Sequence, residues 1–154
     1  MPLIGQPAPD FTLYNPKKEA VTLASFRGQQ VVLAFYPAAF TGVCEKEMCT
    51  FRDSLSSFND ANAVVLGISV DAPFSNGAFA KQMGLSFALL SDVHREAVRA
   101  YGVSWNNFAG IAGFEVANRA VFVINAAGTV VFEWIAPNPG VEPDYEAVKA
   151  AVAG

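Results

Sequence analysis

The feature that most constrains the fold is a continuous apolar run at residues 31–36. The run reads VVLAFY and lies between Gly28 and Pro37, two residues that interrupt regular structure. A short apolar segment bounded in this way is typical of a strand buried on both faces of a sheet. Residues 63–70 form a second segment of the same kind, which Asp71 follows. The sequence therefore predicts a buried sheet as the core.

Helical periodicity alternates with these strands. After the first strand, apolar side chains recur at helical spacing at Met48, Phe51, Leu55 and Phe58. Further helices are predicted over residues 74–83, 94–101 and 143–152. Strands that alternate with helices predict an α/β fold.

A hairpin is predicted at each end of the chain. Near the N-terminus, residues 11–14 and 21–23 are short strands on either side of a turn that contains Pro16. Near the C-terminus, residues 120–125 and 129–135 are strands joined by a turn that contains Gly128. The predicted sheet is therefore mixed, partly parallel and partly antiparallel.

These elements predict an α/β fold with a mixed central sheet, flanking helices and an N-terminal hairpin. The order of elements is that of a thioredoxin-like fold, which it shares with other three-layer folds. A chain of 154 residues has the usual size of one domain, so we expect a single domain over residues 1–154.

Composition and charge exclude several classes of protein. Apolar residues make up 53% of the chain and charged residues 16%, a balance that excludes intrinsic disorder. The net charge of −4 gives no general attraction to nucleic acid or to an anionic membrane surface. The apolar runs fall far short of the ~20 residues of a spanning helix, and the first residues lack the basic flank of a signal peptide. We therefore expect a cytoplasmic protein without nucleic-acid or membrane partners.

The two cysteines, Cys44 and Cys49, lie at the start of the helix that follows the first buried strand. In a cytoplasmic protein, cysteines are more often reactive groups than structural disulfides. If Thr41 is the N-cap, Cys44 falls in the first helical turn, where free N–H groups and the helix dipole favour the thiolate. The carboxylates of Glu45 and Glu47 oppose ionisation. The pattern therefore requires a cation, an arginine from elsewhere in the chain.

The spacing of the two cysteines limits how they can pair. In an intact helix they are separated by roughly 140° around the axis, and their Cα atoms by about 8–9 Å. A disulfide needs Cα atoms within about 7 Å. Pairing within one chain would therefore unwind the first turns of the helix, which couples oxidation to local unfolding and fits a redox cycle.

Several separated motifs resemble the peroxiredoxin family. Pro37, Thr41 and Cys44 match the active-site pattern P-x-x-x-T-x-x-C, and Glu47 follows them. Other matching segments are residues 5–11, 89–92, 101–103 and 118–124. The segment AFTGVC at residues 39–44 is similar to the alkyl hydroperoxide reductase E type. Two cysteines with four residues between them are instead typical of the bacterioferritin-comigratory type.

The resemblance implies a thioredoxin-like fold and a thiol-dependent peroxidase that reduces hydrogen peroxide and organic hydroperoxides. Cys44 would be the peroxidatic thiolate, which attacks the hydroperoxide and becomes a sulfenic acid. Thr41 would bind the peroxide oxygens with its hydroxyl, together with the backbone N–H groups of Val43 and Cys44. Pro37 would shield the sulfur from bulk water. Arg119 would supply the required cation and stabilise the thiolate.

Two further residues complete the implied site. Glu47 would orient Arg119. Cys49 would be the resolving thiol, which converts the sulfenic acid into a disulfide that a thioredoxin- or glutaredoxin-like protein reduces. The resemblance implies no cofactor, and two cysteines with the distant His94 do not match a zinc-ligand pattern. We also expect a homodimer.

Simpler interpretations compete for some of these residues. Cys49 can be a small buried apolar residue, Arg119 a member of an ordinary salt bridge at the start of a strand, and Glu47 a solvated helix residue. Thr41 can act as an N-cap as well as in the site. His94, the single histidine, is expected at an exposed helix start rather than in catalysis.

The sequence departs from the family pattern at two places. Residues 103–118 form an apolar-rich loop, longer than the connection in the E type, and Ala88 stands where the family usually has proline. The large apolar residues of the loop are Trp105, Phe108, Ile111 and Phe114. We expect the loop aromatics to pack at or near a subunit interface, with core packing and the mouth of the substrate site as alternatives.

Two other functions remain open. A thiol–disulfide oxidoreductase of thioredoxin type is disfavoured, because those enzymes use a Cys-x-x-Cys motif and the gap here is wider. A peroxide sensor or holdase, in which oxidation exposes apolar surface, is compatible with the predicted unwinding of the helix.

Overall fold

The computed structural model describes residues 2–153, apart from the side chains of residues 43, 44, 55, 56 and 153. The strands are β1 (Thr12–Tyr14), β2 (Ala20–Thr22), β3 (Gln30–Phe35), β4 (Ala63–Ser69), β5 (Ala88–Ser91), β6 (Ser104–Trp105), β7 (Val116–Ala117), β8 (Ala120–Ile124) and β9 (Val130–Ile135). The α-helices are α1 (Gly42–Asp53), α2 (Leu55–Asp60), α3 (Pro73–Met83), α4 (Glu96–Ala100) and α5 (Tyr145–Ala153). Short 3-10 helices occupy Leu23–Phe26 and Phe108–Gly110.

One mixed sheet with the strand order β2-β1-β5-β4-β3-β8-β9 organises the fold. Strands β3, β4 and β5 are parallel, whereas β8 runs antiparallel to β3 and β9 antiparallel to β8. The N-terminal hairpin pairs β1 with β2 and joins the sheet beside β5. The predicted α/β architecture, with its mixed sheet and N-terminal hairpin, is confirmed.

Strand β3 is buried on both faces, as the apolar run predicts. Val31, Leu33 and Phe35 pack in the core on one face, together with helix α4. Their neighbours along the strand pack on the other face with side chains from α1, α2, α3 and α5. Each fully buried side chain of this size contributes about 1.5–3 kcal/mol, so the centre of the sheet is a firm support for the segments at its edge.

The helix predicted through Met48 and Phe58 is two helices. Ser54, with φ −97° and ψ 2°, ends α1, and α2 begins at the next residue. The serine-rich sequence here favours a break, because serine hydroxyls compete with helical backbone hydrogen bonds. The prediction of one helix was therefore wrong, and the predicted place of Leu55 on its apolar face lies outside the described side chains.

Three strands were not predicted. Strand β5 pairs with β4 from Leu66 opposite Ala88 to Ser69 opposite Ser91. Strands β6 and β7 form a separate antiparallel pair, so residues 103–118 are a two-stranded flap rather than an irregular loop. These strands are too short to show a periodicity, and their pairing partners are distant in the sequence.

No helix in the part of the chain that the structure describes has both the length and the apolar character to cross a membrane.

Candidate active site

The site lies where β3 ends and β8 begins. These strands are antiparallel, and Phe35 pairs with Ala120 in their register. Pro37 follows β3 by two residues, and Arg119 immediately precedes β8. The register therefore brings Arg119 to the edge of the sheet from which the chain runs through Pro37 and Thr41 into α1.

Arg119 is buried at this edge, with only 1% of its surface exposed. Its Nη1 donates to Oε1 of Glu47 at 2.9 Å, and its Nε donates to the backbone carbonyl of Pro139 at 2.9 Å. Its backbone N–H donates to Oδ1 of Asn118 at 2.8 Å. A buried guanidinium is tolerated only when it is paired and hydrogen-bonded in this way, so the orientation of the cation is fixed.

Glu47 lies on α1 with none of its surface exposed. It is not the solvated helix residue of the alternative interpretation. Burial raises the pKa of Glu47 to about 8, although the charge and hydrogen bond of Arg119 act in the opposite direction. Among the described residues, none makes a hydrogen bond to its Oε2 atom. The carboxyl group is thus held beside Arg119 at a cost in desolvation.

Thr41 is the N-cap residue of α1 by its backbone, with φ −95° and ψ 145°. Its carbonyl accepts the N–H of Glu45 at 2.9 Å. Its side chain does not cap the helix, however, because its hydroxyl donates to the carbonyl of Ala38 at 3.1 Å. The predicted N-cap position is correct and the expected capping hydrogen bond is absent, which leaves the helix N-terminus open toward the site.

The two cysteines both belong to α1. Cys44 is in its first turn, as predicted, and Val43 precedes it; the predicted contacts of both side chains lie outside the described residues. Cys49 is half-buried in the middle of the helix and carries a free thiol. Its Sγ lies 3.9 Å from Sδ of Met83, at the end of α3. Because α1 is unbroken between Cys44 and Cys49, their Cα atoms are separated by more than a disulfide spans.

A cavity of about 330 Å³ opens at the same edge of the sheet. It is lined by Pro37, Thr41, Gly42, Trp105, Phe108, Ala109, Arg119, Pro139 and Gly140. Arg119 is the charged side chain among these described lining residues, so a polar ligand atom would meet a guanidinium and a threonine hydroxyl inside apolar walls. The cavity is large enough for a small organic molecule.

The flap of residues 103–118 forms one wall of this cavity. Trp105 and Phe108 line it, which fits the alternative that the loop aromatics surround the mouth of the site. Phe114 packs on Phe108 with ring centroids 5.8 Å apart, and Ile111 is 55% exposed. The expectation of a subunit interface at this loop stays a prediction.

Two contacts of the site were not predicted from the sequence. Asp71 accepts the backbone N–H of Ala39 at 2.8 Å, and the carbonyl of Pro139 holds Arg119. Asp71 follows a strand parallel to β3, and this placement at the same sheet edge could have singled it out. A backbone carbonyl such as that of Pro139 leaves no signal in the sequence.

Other polar groups lie outside the site. His94 is exposed and precedes α4, as expected. Within the described side chains, no group of three or more His, Cys, Asp or Glu residues could hold a metal ion.

The chain is similar to known proteins over most of its length. Residues 4–133 match the AhpC/TSA family. Alkyl hydroperoxide reductase E of Mycobacterium tuberculosis is 42% identical over 132 residues, which are 84% of this chain and 82% of that protein. The putative peroxiredoxin bcp of Haemophilus influenzae is 39% identical over 130 residues, 83% of each protein.

Solved structures agree with this similarity. The structure of peroxidoxin BcpB from Mycobacterium tuberculosis matches with a TM-score of 0.86 at 27% sequence identity. The match covers 99% of this chain and 97% of that protein's chain. The thioredoxin-like fold implied by the sequence motifs is therefore confirmed. Family membership brings with it a hydroperoxide substrate and a thiol reductant. The chain belongs to the AhpC/TSA family, and it is a peroxiredoxin, an enzyme that reduces hydroperoxides by thiol chemistry.

Proposed function

We propose that this peroxiredoxin reduces hydrogen peroxide and organic hydroperoxides through a two-cysteine cycle. Cys44 is the peroxidatic cysteine and Cys49 the resolving cysteine. The observation that carries the proposal is the buried guanidinium of Arg119 in a cavity beside the helix turn that contains Cys44. That arrangement supplies the cation which a reactive thiolate needs between the carboxylates of Glu45 and Glu47.

In the first step, the Cys44 thiolate attacks the terminal oxygen of the hydroperoxide. The sulfur–oxygen bond forms as the oxygen–oxygen bond breaks, and the leaving alkoxide or hydroxide takes up a proton. Thr41 and the N-terminal N–H groups of α1 bind the peroxide oxygens, and Arg119 stabilises the developing negative charge. Pro37 and the flap residues Trp105 and Phe108 exclude water from the reacting sulfur.

In the second step, the Cys49 thiol loses its proton and attacks the sulfenic sulfur of Cys44. The sulfur–sulfur bond forms as the sulfur–oxygen bond breaks, and the leaving hydroxide takes up a proton to give water. The helix must open first, since both cysteines lie on one continuous helix. Two contacts hold the part of α1 around Cys49 against the end of α3. They are the Cys49–Met83 sulfur contact and a hydrogen bond from Nη1 of Arg52 to the Met83 carbonyl. Separation of α1 from the end of α3 therefore accompanies resolution.

The disulfide is returned to two thiols by a dithiol reductant, which we propose to be a thioredoxin- or glutaredoxin-like protein in the cytoplasm. A homodimer is part of the same proposal. The unbroken helix between the cysteines argues against a thioredoxin-type oxidoreductase, because that chemistry needs two sulfurs already close together.

The test is the intact mass of the reduced protein, under non-reducing conditions, after one equivalent of hydrogen peroxide. We expect a monomer that has lost two hydrogens. A mass near that of two chains would place the disulfide between subunits. Addition of oxygen alone would leave Cys49 without a resolving role, and an unchanged mass would contradict the peroxidatic role of Cys44.

Two matched serine variants separate the roles of the cysteines. Cys44→Ser is expected to abolish peroxide consumption. Cys49→Ser is expected to keep the first oxidation and to stop at the sulfenic acid, which a dimedone adduct reveals. Peroxide consumption that survives in Cys44→Ser would move the chemistry to another group.

A further inference from the structure

We infer that Asp71 is a positioning residue for the peroxidase reaction, because it holds the segment between β3 and α1 that carries Pro37 and Thr41. The inference rests on the proposed function, since it concerns the geometry of that same site. Asp71 itself does not line the cavity.

The carboxylate of Asp71 joins the site segment to the end of β4. Its Oδ2 accepts the backbone N–H of Ala39 at 2.8 Å and the hydroxyl of Ser69 at 2.9 Å. The backbone N–H of Asp71 in turn donates to the Ser69 hydroxyl oxygen at 3.2 Å. The carboxylate is thus fixed to the last residue of β4 while it reaches across to the neighbouring segment.

The segment that it holds is conformationally strained. Phe40 has φ +65°, a left-handed conformation that a bulky residue seldom adopts. Such a residue persists only where its surroundings fix it. Here the fixing contacts are the Ala39–Asp71 hydrogen bond, the packing of Phe40 on Phe79 at 5.2 Å between ring centroids, and the Thr41–Ala38 hydrogen bond.

A buried polar network fixes the other end of the segment. Asn76, on α3, is fully buried and its Oδ1 accepts the hydroxyl of Tyr36 at 2.7 Å. The same Oδ1 lies 3.3 Å from the Ser69 hydroxyl, and Nδ2 donates to the Ser91 hydroxyl at 3.0 Å. The site segment is therefore attached to the ends of β4 and β5 on both sides of Pro37, through Tyr36 and through Ala39.

Removal of the Asp71 carboxylate frees Ala39 and allows Phe40 to leave its strained conformation. Thr41 then shifts relative to Arg119, which is held separately by Glu47 and Pro139. The reaction with peroxide needs the sulfur, the threonine hydroxyl and the guanidinium at fixed relative positions, and a misplacement of about 1 Å can lower the rate about 10²-fold. Simple alkylation of the thiolate does not depend on these relative positions.

The experiment compares two reactions of Cys44 in a Cys49→Ser background. The first is its second-order oxidation by hydrogen peroxide, and the second is its alkylation by iodoacetamide at the same pH. We expect Asp71→Ala to slow oxidation by at least about tenfold. Alkylation should change by less than about twofold, because it reports on the thiolate and not on peroxide binding. Asp71→Asn should restore much of the oxidation rate, since it keeps an acceptor for Ala39.

The matched control is Asp10→Ala, which removes the same kind of bond far from the site. Oδ1 of Asp10 accepts the backbone N–H of Ala24 at 3.0 Å, and we expect its loss to change neither rate. If Asp71→Ala fails to fold, Ser69→Ala is used in its place, because the serine variant lacks the hydroxyl that fixes the Asp71 carboxylate. Slower oxidation with unchanged alkylation is again expected.

Oxidation at the parent rate in Asp71→Ala, or in Ser69→Ala where it takes its place, would overturn the inference and leave the proposed function intact. A parallel fall in both rates would also overturn it, because the effect would then be on ionisation or folding. Failure of peroxide to oxidise Cys44 in the parent protein would instead contradict the proposed function, and the inference with it.

Discussion

Two glutamate–arginine pairs in this protein show how differently the same chemistry behaves in two settings. Glu47 and Arg119 are 2.9 Å apart, with side chains that are 0% and 1% exposed. Glu115, in the flap, and Arg99, on α4, are 2.6 Å apart, with side chains that are 15% and 61% exposed. Burial raises the pKa of Glu47, whereas the hydrogen bonds from Arg99 and Ser104 lower the pKa of Glu115.

The distance between the two charged groups therefore does not by itself decide how much an ion pair contributes to stability. Glu115 has several donors, since Ser104 donates to its Oε2 and Arg95 donates to its backbone carbonyl at 2.9 Å. Glu47 is buried, and Arg119 donates a hydrogen bond to its Oε1. Within the described residues, no donor reaches its Oε2. The exposed pair joins the flap to α4, whereas the buried pair fixes a cation at the site at a cost in stability.

The largest effect is expected from Arg119→Met above about pH 8, where Glu47 is ionised in the parent protein and the variant leaves the buried carboxylate without its cation. Loss of one member of a buried pair typically costs about 3–5 kcal/mol. Loss of a group that stabilises transition-state charge typically lowers the rate by about 10²–10³-fold. Urea unfolding and peroxide kinetics measure the two effects. Arg99→Met is the matched control, and equal losses in the two variants would contradict the distinction between the pairs.

The next effect concerns pH. The pKa of Glu47 is about 8 in the folded protein and near 4.5 in the unfolded chain. The folded state therefore keeps a proton that the unfolded state releases, and this group lowers stability as pH rises from about 4.5 to 8. Glu47→Gln should remove that fall, which is on the order of a few kcal/mol over the window. Urea unfolding at several pH values measures it, and an unchanged pH slope would show that Glu47 is ionised throughout.

The exposed pair should give a smaller effect with the opposite dependence on pH. The pKa of Glu115 is lowered by hydrogen bonds from Arg99 and Ser104, so its stabilisation is present above the unfolded pKa and is lost as pH falls. Glu115→Gln should lower the melting temperature at pH 7 by less than Arg119→Met does. The difference from the parent protein should disappear in acid. A deficit that persists at low pH would mean that Glu115 acts through packing rather than charge.

The smallest effect is expected from Lys46→Ala, next to Glu47 on the same helix. Lys46 forms an ion pair with Glu142 at 3.2 Å, with side chains that are 72% and 25% exposed. Pairs of this kind contribute about 0–1 kcal/mol and are screened by salt. The melting temperature in low and high salt measures the contribution. A loss of stability as large as that of Arg119→Met would contradict the conclusion that burial decides how much an ion pair affects stability.

Much of the fold could be predicted because the central strands are buried on both faces. Residues 31–36 are apolar throughout and residues 63–70 are apolar except for Ser69, and this pattern is visible without any partner strand. Strand β5 is equally buried but only four residues long, so it depends on its pairing with β4. The break at Ser54 was missed because apolar periodicity continues on both sides of it.

The site was predictable only in part. The charges of Glu45 and Glu47 around Cys44 indicated that an arginine was needed, and the sequence motif pointed to Arg119. Asp71 and Pro139 were not predicted, because their contacts are made to or by the backbone and depend on the path of the chain.

The antiparallel register between β3 and β8 has a consequence for how this chain can change over evolutionary time. Because Phe35 pairs with Ala120, the guanidinium of Arg119 is placed by the hydrogen-bond ladder and not by the length of the preceding flap. Residues can be gained or lost within 106–115 while the cation keeps its place, which gives related lineages freedom to reshape one cavity wall. A single residue inserted between Arg119 and Phe122 has no such freedom, since it would shift the register and turn the arginine to the opposite face of the sheet.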